Sequence, residues 1–313
     1  MFYYTNKRKR NQKIILIAVA AVLAVALIVF IIIFSKTLFR ESSPSPTATG
    51  TPAAGTSTPE PTPQKPLDET GLTVADRFGA PEGFKRVPVE KGSFGEFLRN
   101  YPLKPYGTIP KLNDGSDHEI VSTMGVLDQA IISGNQTSPR AVMFLYAEYL
   151  FEKGEYNSIS FDFYTTPVFH FDYATWLTGQ RVDVSVNPPV WNTPEGATPA
   201  EPTRENFERY IKFAMAYANT HSLKSQLNAV GFANLQVGDV MIDHKHAILI
   251  LDICRNETTG EVRFICAEGK KEAVSEMYLL QDSVTQSVWM TLGEEGTFVY
   301  NGDEYNADSV RRF

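Results

Sequence analysis

Two histidines, one serine and two cysteines are the residues of this chain best suited to chemistry. His244 and His246 follow Gly238-Asp239-Val240-Met241-Ile242-Asp243 and lead into the apolar run Ala247 to Leu251. An imidazole entering an apolar strand beside acidic groups is a candidate base, because its pKa lies near neutrality. The same pair also reads as plain strand-edge residues. As metal ligands the two lack a third partner, so neither a metal nor a cofactor is expected. Ser138 precedes Pro139 where a helix is expected to open. A cysteine there would gain acidity from the free amides and the helix dipole. A serine gains far less, and capping the helix accounts for it without catalysis.

Cys254 and Cys266 flank an expected hairpin turn from Arg255 to Glu261, which leaves a cross-strand disulfide and two buried thiols both open. The chain has no Gly-rich phosphate loop, no HExxH and no Gly-x-Ser-x-Gly elbow. Sequons at Asn135 and Asn256 carry little information.

The elements that must position these residues are of mixed type. Ser93 to Asn100 reads as a short helix. A longer one opens at Ser138-Pro139, with Ser138 as N-cap, and stops near Gly154. A third begins after Thr203, with Phe207, Tyr210, Ile211, Ala214, Met215 and Ala218 on its core face. Leu223 to Leu227 forms another short helix. Strands are expected at Asp239–Ile242, His246–Cys254, Val262–Ala267 and Val274–Leu280, with Asn-Glu-Thr-Thr-Gly at 256–260 turning between the second and third. Helices followed by an antiparallel meander indicate an α+β domain with helices packed on an antiparallel sheet.

The chain ahead of that domain has a different character. Ile14 to Phe34 is an unbroken apolar run, long enough at 1.5 Å per residue to span roughly 30 Å of bilayer. Lys7, Arg8, Lys9, Arg10 and Lys13 precede it, so the positive-inside rule predicts a cytoplasmic N-terminus and an extracellular C-terminal domain. Glu41 to Pro66 is rich in Pro and Thr and carries no aromatic or large aliphatic residue, which predicts a disordered, extended tether. The expected organisation is a cytoplasmic basic tail (1–13), a transmembrane signal anchor (14–34), a Pro/Thr/Ser-rich linker (35–76) and an extracytoplasmic domain (77–313). From residue 67 onward 21 Lys/Arg face 34 Asp/Glu, a field that repels nucleic acid and other polyanions.

The run Gly92-Ser93-Phe94-Gly95-Glu96-Phe97-Leu98-Arg99-Asn100-Tyr101-Pro102-Leu103-Lys104-Pro105 resembles the opening motif of the bacterial domain of unknown function 4846. Similar motifs follow in order at Ala141-Val142-Met143 with Ala147-Glu148-Tyr149-Leu150, and at Trp176 with Gly179 and Arg181. Others are Glu205-Asn206-Phe207 with Tyr217-Ala218, Thr220 and Ser222-Leu223, then Val237-Gly238-Asp239-Val240 and His246 to Asp252.

That family's layout is in turn similar to papain-like wall peptidases of the NlpC type. The resemblance implies one papain-like domain and maps the nucleophile onto Ser138, the histidine onto His246 and a third polar group onto Glu268. Serine stands where the pattern has cysteine, Glu268 where the family tends to have Gln, and Lys245 where a Gly is usual. The implied function is a cell-wall peptide hydrolase or its degenerate relative, with peptidoglycan peptides as partners. The alternative is a non-catalytic module that binds or assembles at the cell envelope.

Overall fold

The computed structural model describes residues 67–119, 123–243, 246–270, 273–293 and 296–313. The apolar run at 14–34, the stretch up to residue 66, and His244 all lie outside the described residues. Among the described residues no helix is long and apolar enough to cross a membrane. Leu67 bridges Phe78 and Val74 is buried, so residues 67–76 pack with the domain, although the linker was drawn over 35–76. Arg77 is fully buried. Its guanidinium donates to three main-chain carbonyls, of Gly71 at 2.8 Å, Met124 at 3.0 Å and Lys104 at 2.8 Å. It thereby pins the start of the domain to two later loops.

Six helices are described: α1 (Val74–Arg77), α2 (Phe94–Arg99), α3 (Ser138–Glu152), α4 (Tyr173–Leu177), α5 (Arg204–Tyr217) and α6 (Thr220–Gln226). Their starts follow from local chemistry. Ser93, Asp172, Thr203 and Asn219 each accept a main-chain N–H from the first turn of α2, α4, α5 and α6. The predicted α5 face is the buried one, with Phe207, Tyr210, Ile211, Ala214 and Met215 all in the core.

Helix α3 departs from expectation at its first residue. Thr137 holds the N-cap position with no side-chain cap bond, and Ser138 lies inside the helix. Ser138 is therefore not the cap, because its hydroxyl is drawn to another element.

Three hairpins stand apart from the main sheet among the described residues: β2 (Ser160–Phe163) with β3 (Phe169–Asp172), β4 (Arg181–Asp183) with β5 (Val190–Asn192), and β12 (Phe298–Tyr300) with β13 (Asp303–Tyr305). The sheet itself contains β1 (Lys85–Arg86), β6 (Asn228–Ala229), β7 (Val240–Ile242), β8 (Ala247–Arg255), β9 (Val262–Glu268), β10 (Tyr278–Leu279), β11 (Met290–Thr291) and β14 (Val310–Arg312). Its order is β10-β9-β8-β7-β14-β6, antiparallel throughout, with β1 beside β8 and β11 beside β9. The mixed α+β class and the antiparallel meander β7-β8-β9-β10 are thus present. The last strand, β14, closes against β7 and carries the C-terminus into the sheet.

Alternation along β8 divides the core. Ala247, Leu249 and Leu251 join the helix-side cluster with Ala141 and Leu145, whereas Ile248 and Ile250 join Phe264, Cys266 and Tyr278 on the other side. A bulge between Ile250 and Asp252 shifts the register, so that Cys254 falls on the helix side. The two cysteines consequently sit in different clusters and are both free, which removes the disulfide alternative. Burial pushes the Cys254 thiol up to about 12 and the Cys266 thiol well above its ordinary value, with Asp252 and Glu268 respectively adding to the effect.

Candidate functional site

Helix α3 delivers Ser138 to the end of the β8/β9 ladder. The loop before it is held by the Gln136 side chain, which accepts from Ile132 N at 2.9 Å and donates to Ala130 O at 2.8 Å. At the ladder the Ser138 hydroxyl donates to the Ala247 carbonyl and accepts weakly from Gly269 N at 3.5 Å. These two groups belong to the residues next to His246 and Glu268. The hydroxyl thus stands in for a peptide group where the β8/β9 pairing ends. Gly269 permits the approach: a Cβ there would stand 3.6 Å from Ser138 Cα and 3.2 Å from Ser275 Oγ.

His246 and Glu268 meet on the side of the sheet shared with Tyr278. Glu268 is directly opposite Tyr278 in the ladder, and the Tyr278 hydroxyl donates to Glu268 Oε1 at 3.0 Å. The other carboxylate oxygen is hydrogen-bonded to His246 Nε2. His246 Nδ1 is buried without a partner. The three residues mapped from the family pattern therefore converge, but no hydrogen bond joins Ser138 to His246 among the described residues. The group is also sealed, since Ser138, His246 and Glu268 are 2%, 2% and 5% exposed.

Two further side chains complete this cluster. Tyr278 has its hydroxyl pKa raised by burial first and by Glu268 second. His118 is edge-on to Tyr278, with centroids 5.0 Å apart, and both of its ring nitrogens are buried without partners. Burial and the Lys270 ammonium hold its pKa below the ordinary histidine value, against smaller upward effects that include Glu268. Neither residue is marked by spacing in the sequence. They reach the site by register and by a distant loop. Among the described residues no group of three or more His, Cys, Asp or Glu is arranged to hold a metal ion.

The remaining motif residues interlock elsewhere in the domain. Gly238 has φ of +97°, and a Cβ on it would stand 2.9 Å from Phe94 Cδ1, so the opening motif packs on the Gly-Asp-Val turn. Arg99 Nη2 reaches Asp252 Oδ1 at 2.6 Å, and Arg86 Nε reaches Oδ2 at 2.6 Å. Asp239 is held by Arg312 through contacts of 2.7 and 2.8 Å. Glu148 accepts from Tyr101 Oη at 3.0 Å and from Arg204 Nη2 at 2.7 Å. The Arg181 guanidinium lies 3.9 Å over the Trp176 ring.

An α+β domain with a buried His/Glu pair, Ser138 at the same end of the ladder and interlocked motif contacts is the class that fold and site define. A family model described as "Domain of unknown function (4846)" matches residues 74–312, and the chain belongs to that family. No curated protein and no solved structure matches it.

Proposed function

We propose that this is a papain-like relative, held outside the cytoplasm by an N-terminal membrane anchor, whose Ser/His/Glu constellation has become structural. Its role is to bind cell-envelope peptides, such as those of peptidoglycan, without cutting them. One observation carries this reading: the Ser138 proton is committed to the Ala247 carbonyl inside a sealed site. A serine attacks only when a base removes that proton within hydrogen-bond reach and an oxyanion hole receives the charge. Among the described residues His246 makes no hydrogen bond to the hydroxyl, and all three side chains are buried.

A hydrolase is the second reading, and the His246 ring favours it. Its Nε2 is held by a carboxylate while Nδ1 is free, the division of labour of a thiol or serine enzyme. Detergent-solubilised full chain incubated with purified peptidoglycan separates the two. The binding reading expects the protein to sediment with the polymer and the muropeptide profile to stay unchanged. Cleavage products that vanish in His246→Ala would establish the hydrolase instead, and a protein that neither sediments nor cleaves would defeat both.

A further inference from the structure

Residues 110–118 form a hairpin: Lys111 bridges Asp117, Leu112 N donates to Ser116 O at 2.9 Å, and His118 N donates to Pro110 O at 2.8 Å. Its outer edge is laid along the segment that leads into β10. Asn113 N donates to Val274 O at 3.0 Å, Glu276 N to Lys111 O at 2.9 Å, and Lys111 N to Glu276 Oε2 at 3.0 Å. Lys104 Nζ meets Glu276 Oε1 at 2.5 Å. Ser275, in the middle of that segment, lies against Gly269 and receives a hydrogen bond from Lys270 N at 2.6 Å. The hairpin therefore backs the segment that touches Gly269 and, through it, Ser138.

His118, its last paired residue, is buried against Tyr278, which in turn binds Glu268. We infer that this hairpin is a strap that seals the Ser138–His246–Glu268 cluster, and that His118 makes its closure sensitive to acid. A neutral imidazole costs less to bury in that place than a charged one, as it carries no net charge to desolvate. An imidazolium there would be a buried cation beside the Lys270 ammonium. Of the groups around it, the Glu119 main chain first, then Glu268 from β9 and the Glu119 carboxylate, favour the charge, while burial and Lys270 oppose it more strongly; the Tyr278 hydroxyl is already given to Glu268. With the closed-state pKa below the open-state value, closure is fully stable above about pH 6.5 and weakens as pH falls through it.

The strap's opening is read by hydrogen exchange of the amides in 110–118 and 274–280. The full chain in detergent is compared at pH 7.5 and 5.5 after correction for intrinsic exchange rates. An open-state imidazole of ordinary pKa is about ten-to-one protonated at pH 5.5, so wild-type protection there falls by up to about tenfold. His118→Phe, which keeps a ring on Tyr278 and cannot titrate, retains its protection at both pH values; His118→Gln serves as a second non-titrating variant if the first misfolds. Unchanged wild-type protection, or an equal loss in a folded non-titrating variant, overturns the inference. This readout is independent of whether the domain binds or cuts peptidoglycan.

Discussion

Ser138 and His246 converge on one end of a sheet, yet the serine hydroxyl bonds the main chain of Ala247 and the imidazole bonds Glu268. The hydroxyl reaches peptide groups that the ladder leaves over, and the imidazole sits on the side of the sheet occupied by Tyr278. On the proposed reading, what the papain-like pattern would align as a reacting pair is two halves of a scaffold.

If Ser138 is structural, removing its hydroxyl should cost stability. Ser138→Ala leaves the Ala247 carbonyl and the Gly269 amide without it, an expected loss of about 1–3 kcal/mol. Urea unfolding followed by circular dichroism measures it. A variant as stable as the wild type would detach Ser138 from the scaffold and return it to the catalytic reading.

Asp252 is fully buried between Arg86 and Arg99. Asp252→Ala leaves Arg99, itself largely buried, facing a vacated site, and the expected loss is about 3–5 kcal/mol. Thermal melting of the variant checks this. A loss below about 1 kcal/mol, the scale of an exposed pair, would mean that solvent reaches the site.

Gly238→Ala places a side chain at positive φ and against the Phe94 ring. Backbone strain alone accounts for roughly 1–3 kcal/mol. Pairing it with Phe94→Leu should recover only the steric part, since the strain remains. A double variant no less stable than Phe94→Leu alone would show that φ is not the constraint.

The Cys254 thiol, raised to about 12, and the still higher Cys266 thiol stay protonated at pH 8. An Ellman assay on the native protein should therefore detect almost no reaction, and the urea-unfolded chain should release both thiols. Rapid titration of either one in the native state would contradict the burial described above.

Legibility in the sequence followed the range of the interactions. The short helix near Ser93, the helix start after Thr203 and the buried face of α5 were readable because each depends on residues a few positions apart. The strands β7, β8 and β9 were readable from apolar runs and the Asn256 turn. Ser138 was misread as a cap because the competing acceptor, Ala247 O, is 109 residues away. Hairpin β2–β3 alternates in the sequence, with Phe161 and Phe163 facing Phe171 and Phe169, and was passed over there, whereas the three-residue strands of β4–β5 and β12–β13 are too short for a period to show. Strand β14 takes its place by pairing with β7, about 70 residues earlier.

By itself, then, the sequence determined the α+β class, the order of the central strands, the acidic balance of the domain and the motif order of its family. Each rests on local periodicity, local hydrogen bonding or composition. Only the tertiary structure decided that His246 meets Glu268, that Ser138 reaches the same end of the ladder, that Tyr278 and His118 adjoin that pair, and that the serine proton goes to the main chain. Those outcomes depend on strand register and on which side of the sheet each residue faces. A bulge or a one-residue change of register reverses the facing while leaving the motifs intact.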